Sequence, residues 1–340
     1  MIKQLFKWRK IILIGAIPYL FFMFIFTYRI DYEMTAPGGL TTVTDQVTFD
    51  QQYEDMGSFY TIYVMAIDRP TFFMFGLGYF DESIEVNELP TYRQGISDSV
   101  NFRSGQLAKD NAWNAAIISA FEALDLDTSF EIEQKITLIY DYISHDEIDL
   151  GDTVLAVNDN PDIYDAISQT ACNEEAVFTV RTKSGEVKDY PILKQMVDGN
   201  CVFGLSIREY YNLTDTEIDY TIDDSYIGGP SGGFMQFLHI YNVLTESDLT
   251  QGLKIAGTGQ IYINGDIGPI GGVTQKVYTA HYNDVDILFV PRLNDDNYHD
   301  NYQEALRAME ALDTDMELVG VENWLDAVNY LLALRGDELV

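Results

Sequence analysis

The chain has 340 residues, with 54 acidic and 20 basic side chains, and its net charge at pH 7 is −34. Because the few basic residues form no stripe between aromatic residues, this balance argues against nucleic acid as a partner. The length leaves room for two or three domains, and an apolar content of 47% excludes an intrinsically disordered chain.

Residues 11–28 read IILIGAIPYLFFMFIFTY and carry no charge. At about 1.5 Å of helix rise per residue, this stretch is just long enough for a bilayer core of about 30 Å, so it predicts a transmembrane helix. Four basic residues lie before it, which predicts a cytoplasmic tail over residues 1–10 and a single-pass cell-membrane protein whose catalytic domain is extracytoplasmic. A cleaved signal peptide is the alternative, although no A-x-A-like site follows the apolar run.

Residues 33–127 are predicted to form a small juxtamembrane β region followed by an amphipathic helix. The segments LTTVTDQVTF and SFYTIYVMAI are rich in Thr, Val, Ile and Tyr, and they predict the two strands of a hairpin. FGLGYF, at residues 75–80, indicates a glycine turn. Apolar residues at helical spacing predict a helix over residues 106–124 that buries one face.

Residues 128–198 alternate short apolar runs with turns and predict the element order β, β, α, β, β. Within them, GDTVLAVNDNP resembles the glycine-aspartate strand of the PDZ domains of bacterial proteases, and the following helix and hairpin stand where such a domain has them. The resemblance implies a PDZ-like module. The preceding loop, SHDEIDLGD, lacks the glycines that would cradle a peptide carboxylate, so binding of peptide termini by this module stays open.

The first part of the pattern that carries chemistry lies near residue 230. In YIGGPSGGFMQFLHIYNVL a glycine turn leads into a predicted helix, and Ser231 stands at the turn. Free backbone N–H groups and the positive end of the helix meet at such a position, as an oxyanion hole requires. The alternative is that Ser231 only caps the helix, a role that serine often has.

A second glycine pair, in GPIGGVTQK, opens another predicted helix and places Lys276 in its first turns. Apolar neighbours and the positive end of this helix both disfavour the ammonium form of the side chain. We therefore expect a lowered pKa, which would make Lys276 a usable base near neutral pH. The alternative is a solvated surface lysine, the usual state of a lysine in a helix.

Three ordered blocks, GGPSGGFM, KIAGTGQI and GPIGGVTQK, and the 45-residue spacing of Ser231 and Lys276 resemble the proteolytic domain of the Lon family. With the anchor and the PDZ-like module, the whole chain resembles the ATP-independent, membrane-anchored Lon-like serine proteases of bacteria. The resemblance implies that Ser231 is the nucleophile, that Lys276 is the general base and acid, and that Thr258 hydrogen-bonds the lysine amine. It also implies that three residues shape the oxyanion turn, namely Gly229, Pro230 and Gly232.

Two positions depart from the family pattern, because many Lon enzymes have an acidic residue where this chain has Gly228, and alanine is usual at Gly232. Neither change removes a catalytic group. The chain contains no GxxxxGK[ST] motif, so we predict an ATP-independent serine endopeptidase that cleaves proteins or peptides outside the cytoplasmic membrane. Assembly into a homo-oligomer is a further implication of the resemblance. The alternative is a catalytically silent, membrane-anchored scaffold that binds extracytoplasmic partners.

The sequence predicts no metal or cofactor site. The histidines lack the HExxH spacing of zinc peptidases, and they are His145, His239, His281 and His299. Cys172 and Cys201 are too few for a four-cysteine zinc site and form either one disulfide or two separate core thiols. The predicted fold is therefore α+β, with a transmembrane helix, a juxtamembrane β region, a PDZ-like module and a Lon-type proteolytic α/β domain over residues 199–340.

Overall fold

A computed structural model describes residues 2–140, 147–197, 199–246, 248–293 and 300–336. Its helices are α1 (Ile2–Thr27), α2 (Phe72–Gly78), α3 (Thr91–Gln94), α4 (Asp98–Ala123), α5 (Ile163–Gln169), α6 (Gly233–Val243), α7 (Val273–Tyr282), α8 (Asn301–Glu310) and α9 (Trp324–Arg335). Its strands are β1 (Tyr32–Thr42), β2 (Val47–Phe49), β3 (Ser58–Asp68), β4 (Glu85–Glu88), β5 (Thr128–Ile139), β6 (Thr153–Val157), β7 (Glu175–Arg181), β8 (Val187–Leu193), β9 (Gln195–Val197), β10 (Asn200–Val202), β11 (Leu205–Thr216), β12 (Tyr220–Ile222), β13 (Lys254–Gly257), β14 (Gln260–Ile261), β15 (Ile267–Gly268), β16 (Ile287–Pro291) and β17 (Glu317–Val321).

Strands from both halves of the chain form one mixed sheet in the order β17-β16-β13-β3-β1-β4. Strands β13, β16 and β17 are parallel to one another, and β3 lies parallel to β13. The predicted hairpin of LTTVTDQVTF and SFYTIYVMAI is confirmed in part: Leu40 of β1 lies opposite Ile62 of β3, but β1 begins at Tyr32 and ends at Thr42. This pair continues the sheet formed by the C-terminal strands, while β2 leaves it and pairs with β12.

The inner strands of this sheet send alternate side chains to opposite faces, as the pleat requires. In β16, Ile287 and Phe289 enter a core that α4, α6 and α9 cover, whereas Leu288 and Val290 enter a second core under α7 and α8. Every residue of β16 is buried, as expected for a central parallel strand with helices on both faces. The result is a three-layer α/β/α arrangement in which α6 and α7 approach the sheet from opposite sides.

A second sheet is antiparallel and has the strand order β11-β5-β6-β7-β8. Its element order along the chain, β5, β6, α5, β7 and β8, confirms the predicted β, β, α, β, β pattern. The last strand in the sheet, β11, comes from residues 205–216 and pairs with β5 along its whole length. A separate core fills this sheet's covered face, and Val100 and Leu107 of α4 pack against it.

The N-terminal helix α1 begins at Ile2 and ends at Thr27. Its uncharged part runs from Ile11 to Thr27, and Pro18 lies inside it. Among the residues that the structure describes, no helix combines the length and the apolar character that crossing a bilayer requires. The predicted transmembrane helix over residues 11–28 is therefore wrong. The single-pass location and the cytoplasmic tail over residues 1–10, which depended on that helix, are wrong with it.

Three local predictions from the sequence can be compared with the structure. FGLGYF does not form a turn, because α2 runs through it to Gly78, with the hydroxyl of Thr71 accepting a hydrogen bond from the N–H of Met74 at the helix start. Cys172 and Cys201 are joined in a disulfide with a Cα–Cα distance of 5.6 Å. Of the two alternatives for the cysteines, the single bridge is therefore correct. The predicted helix over residues 106–124 is confirmed as the C-terminal part of α4.

Candidate active site

Ser231 lies in the turn that joins β12 to α6. Gly229 has a φ of +100°, in the region that glycine adopts without strain, and Pro230 follows it. Helix α6 begins at Gly233, with Gly232 as its N-cap and no side chain capping its first turn. The hydroxyl of Ser231 is therefore not a helix cap, and that alternative is excluded.

Thr258 follows the carboxyl end of β13, and the glycines on either side of it bring this segment against α6. A Cβ on Gly257 would lie 2.4 Å from the sulfur of a methionine of α6, so the close approach requires glycine. The N–H of Gly259 donates to the carbonyl of Ser231 at 2.8 Å, and the carbonyl of Gly259 accepts from the N–H of Phe234 at 3.1 Å. These two hydrogen bonds fix the Ser231 turn to the end of β13.

Lys276 projects from the first turn of α7 towards these two hydroxyls. Its Nζ lies 3.0 Å from Oγ of Ser231 and 2.8 Å from Oγ1 of Thr258, and the Thr258 hydroxyl also donates to the carbonyl of Ser231 at 3.2 Å. The helix starts after Gly272, whose φ of +66° is left-handed. The structure thus brings together the serine, the lysine and the threonine from three separate elements.

Burial sets the protonation of the Lys276 amine. The side chain is 3% exposed, and its desolvation lowers the pKa from the ordinary 10.5 to about 7. The expected lowering of the pKa is therefore confirmed, and the alternative of a solvated surface lysine is excluded. At neutral pH about half of the molecules hold a neutral amine within hydrogen-bond distance of a serine hydroxyl.

Ser231 and Lys276 open onto a cleft of about 880 Å³. One wall is the middle of β3, and the others are the turn before α6 and the turn before α7. The residues that line these walls are Thr61, Tyr63, Val64, Ile227, Ile270 and Gly272, among others. The described lining includes two lysines, Lys109 and Lys276, and no carboxylate.

Two backbone donors stand beside the serine hydroxyl. Within the described part of the chain, the N–H groups of Ser231 and Gly232 have no protein acceptor. Both precede the first full turn of α6, where helical N–H groups lack partners within the helix. A Cβ on Gly232 would lie 3.0 Å from Cγ2 of Thr61, which accounts for glycine instead of the usual alanine at this position.

Sequence reasoning missed Gln236, which lines the cleft five residues after Ser231. This side chain is 4% exposed, and its Oε1 has no hydrogen-bond partner among the described residues. The available signal was a polar residue inside an otherwise apolar helix, GFMQFLHIYNV.

The histidines contribute nothing to this cleft in the part of the chain that the structure describes. His239 is 1% exposed on α6, its Nδ1 lies 3.9 Å from Oδ2 of Asp55, and burial lowers its pKa to about 4. His281 lies in the last turn of α7. His145 and His299 lie outside the described residues.

Comparison with known proteins supports a proteolytic role for the C-terminal part. Residues 210–326, which include Ser231, Thr258 and Lys276, match the model of the Lon protease (S16) C-terminal proteolytic domain. Similar proteins include the Lon proteases of Mesomycoplasma hyopneumoniae (31% identical over 87 residues), Vibrio parahaemolyticus (24% over 120 residues) and Methanosarcina barkeri (27% over 111 residues).

These alignments cover 26%, 35% and 31% of this chain, respectively, but only 10%, 14% and 14% of the relatives. The chain thus spans a small fraction of the length of the curated relatives it matches. The similarity is restricted to the segment that carries the candidate site, and it indicates a serine-type peptidase.

Proposed function

We propose that this chain is a serine endopeptidase that cleaves proteins or peptides with Ser231 as nucleophile and Lys276 as general base and acid. The observation that carries the proposal is the 3.0 Å contact between Nζ of Lys276 and Oγ of Ser231, made by an amine whose pKa burial lowers to about 7. A general base is most effective when its pKa lies near the working pH.

The first half of the reaction transfers one proton and forms one bond. In the neutral form of Lys276 the Ser231 hydroxyl donates to Nζ, so Oγ attacks the substrate carbonyl carbon as its proton moves to the amine. The C–N bond of the substrate then breaks, and the Lys276 ammonium returns the proton to the departing amine. Water attacks the acyl-enzyme by the reverse proton path and restores free Ser231.

The supporting residues act on the geometry of these steps. Thr258 accepts a hydrogen bond from the amine at 2.8 Å and thereby orients Nζ towards Ser231. Gly229 and Pro230 form the turn that leaves the N–H groups of Ser231 and Gly232 without acceptors among the residues that the structure describes. In the proposal these two groups bind the oxyanion, an interaction of the kind that contributes about 10²- to 10³-fold to the rate.

ATP independence and the place of action are part of the proposal. The absence of a GxxxxGK[ST] motif in the 340 residues supports cleavage without ATP hydrolysis by this chain. The Cys172–Cys201 disulfide supports proteolysis in an oxidising compartment, because disulfides rarely persist among cytosolic thiols. Cleavage with and without ATP and Mg²⁺ tests the first point, and thiol titration of freshly isolated protein tests the second.

We also propose the division into a β region with α4 over residues 33–127, a PDZ-like module over 128–198 and a Lon-type domain over 199–340. Support for the middle unit comes from the core of the five-stranded sheet, which is separate from the two cores of the six-stranded sheet. This sheet also takes β11 from the following segment, and the two outer segments share the six-stranded sheet, so the division follows chain order and the outer two form one body in space. Limited proteolysis that releases fragments ending near these boundaries would support the division. Self-association, implied by the Lon resemblance, is tested by sedimentation of the purified chain.

The decisive experiment combines a serine-directed fluorophosphonate probe with cleavage of an unstructured protein. We expect the wild type to be labelled once per chain, and Ser231→Ala to lose both labelling and cleavage. Ser184→Ala is the matched control, because this exposed serine lies in the β7–β8 hairpin and is not part of the described lining of the cleft. It should keep both activities.

The alternative function, a silent scaffold that binds partners, predicts a different outcome. A folded wild-type chain that neither reacts with the probe nor cleaves unstructured proteins at any pH from 6 to 9 would favour the scaffold. The Lys276 amine argues against the scaffold, because it is buried in a cleft whose described lining contains no carboxylate. Burying such an amine costs stability, and a scaffold gains nothing from that cost.

A further inference from the structure

The N-terminal half of α4 lies against the segment that leads into the Ser231 turn. Three hydrogen bonds join the two: Gly229 N–H to Gly105 O at 2.7 Å, Gln106 Nε2 to Tyr226 O at 3.2 Å and Lys109 Nζ to Ser225 O at 2.9 Å. One bond is made by the helix backbone and two by side chains one turn apart. The contacts cover residues 225–229, immediately before the nucleophile.

The contact is close enough to determine the residue type on the loop. A Cβ on Gly228 would lie 2.9 Å from the carbonyl carbon of Gly105 and 3.2 Å from its oxygen, so a side chain there must displace the backbone of α4 or of the loop. On the other side, a Cβ on Gly105 would lie 3.6 Å from Cα of Gly228, an ordinary contact. This explains why an acidic residue is absent at Gly228, because α4 occupies the space.

Helix α4 is in turn held by the five-stranded sheet. The amide of Asn111 donates to the carbonyl of Glu209 at 3.1 Å and accepts from the N–H of Tyr211 at 2.8 Å, and the amide of Asn114 donates to the carbonyl of Tyr211 at 2.7 Å. The same helix therefore contacts β11 with one part of its length and the Ser231 loop with another.

We propose that α4 is the positioning element of the catalytic turn, with Gln106 and Lys109 as its positioning residues. This inference rests on the proposed function. Two elements hold the turn: α4 contacts residues 225–229, and the segment after β13 hydrogen-bonds to the carbonyl of Ser231. Loss of the first contact leaves the Ser231–Lys276 pair intact but lets the oxyanion donors shift. A displacement of about 1 Å in such a site can lower the rate about 10²-fold.

The test uses Lys109→Met, Gln106→Ala and Gly228→Ala, with kcat expressed per fluorophosphonate-labelled site so that unfolded molecules do not count. We expect kcat to fall about tenfold or more in Gly228→Ala and in the double variant of Gln106 and Lys109. KM should stay within about twofold of the wild-type value. The acid limb of the pH–rate profile should stay within about 0.3 pH units, because the environment of Lys276 is unchanged. Lys109→Arg, which retains a donor, should restore most of the loss.

The matched controls are Lys188→Met, a lysine of β8, and Gly76→Ala, a glycine of α2 with open space at its Cβ. Both should retain wild-type kcat. Unchanged kcat in Gly228→Ala and in the double variant would overturn the positioning role while leaving the peptidase intact. A loss that is explained entirely by fewer labelled sites would also overturn it. An inactive, unlabelled wild type would overturn the proposed function instead.

An independent observation concerns Gln236, whose buried amide faces the same cleft. Its Oε1 has no partner in the described part of the chain, and its Nε2 lies 3.7 Å from where a Cβ on Gly232 would stand. Buried amides are normally hydrogen-bonded within the protein. An amide offers one acceptor and two donors, which complement the main chain of a peptide and carry no preference for charge. We infer that Gln236 binds the backbone of an extended substrate next to the scissile bond.

Gln236→Met tests this binding role, and Gln275→Met is its matched control. Gln275 is 1% exposed and its Oε1 also has no partner among the described residues, but Gln275 is not part of the described lining of the cleft. We expect both variants to unfold at higher temperature, because each removes a buried amide oxygen that has no partner among the described residues. Only Gln236→Met should raise KM, roughly tenfold. The inference fails if KM is unchanged, or if Gln275→Met raises it equally.

Discussion

Replacing Lys276 by methionine distinguishes the effect of the buried amine on stability from its role in catalysis. Burial lowers the pKa of this 3%-exposed amine from 10.5 in the unfolded chain to about 7. Between these two pH values the unfolded chain binds about one more proton than the folded one, so the free energy of unfolding rises with pH over this range. The two pKa values differ by about 3.5, and each pH unit corresponds to about 1.4 kcal/mol. Burial of the amine therefore lowers the free energy of unfolding by about 5 kcal/mol well below pH 7 and by about 4 kcal/mol at pH 7.

Methionine fills a similar volume without this cost, but it leaves the hydroxyls of Ser231 and Thr258 without their partner. Each lost hydrogen bond costs about 1 kcal/mol. We therefore expect Lys276→Met to abolish cleavage and to raise the free energy of unfolding by about 2 kcal/mol at pH 7. At pH 9 the cost of the buried amine falls to about 2 kcal/mol, so the gain should disappear.

Urea unfolding followed by fluorescence at pH 7 and pH 9 measures this difference. Ser231→Ala is the control, because it also abolishes cleavage but retains the buried amine and hence the pH dependence of the wild type. A Lys276→Met variant that is less stable than the wild type at pH 7, or equally stabilised at pH 7 and pH 9, would show that the folded chain does not bury a neutral amine.

Three further predictions concern single contacts. Thr258→Val removes an acceptor of the Lys276 ammonium, so its pKa should fall below about 7 and the acid limb of kcat/KM should move about one unit lower; an unmoved limb would show that Thr258 does not bind the amine. Burial lowers the pKa of His239 from 6.5 to about 4, so the free energy of unfolding of the wild type should fall by about 3 kcal/mol as the pH is lowered between these values. His239→Met should lack that loss in urea unfolding at pH 7 and 4.5, and equal losses would contradict the burial. Replacing Cys172 and Cys201 by serine should lower the free energy of unfolding by about 3 kcal/mol, and reductant should then have no further effect.

The local part of the site was predictable because it is encoded in short segments. Glycine pairs before helices α6 and α7, with a polar residue within a few positions of each, predicted where Ser231 and Lys276 leave the backbone. The helical and strand patterns around them also follow from local periodicity, and Asn264-Gly265, a dipeptide typical of tight hairpin turns, lies between the paired strands β14 and β15. Local apolar composition predicted the N-terminal helix, which α1 confirms, but the assignment of this helix to a bilayer was wrong.

The residues that hold the site in place come from distant parts of the chain. Phe59 of β3 pairs with Ile255 of β13, and Gly105 of α4 meets Gly228. Both contacts involve the main chain, through the β3–β13 pairing and the hydrogen bond from the N–H of Gly229 to the carbonyl of Gly105, and main-chain bonds leave no side-chain signature in either segment. The wall of the cleft formed by β3, and the helix behind the catalytic turn, therefore appeared only in the folded chain.

From the sequence, the glycine turns and the apolar neighbours singled out Ser231 and Lys276 as candidates, and the resemblance to the Lon family joined them with Thr258. Only the tertiary structure decided that the three meet, at 3.0 Å and 2.8 Å from the amine. It also decided that the amine is buried, since desolvation is a property of the packed layers around α7 and not of its own sequence.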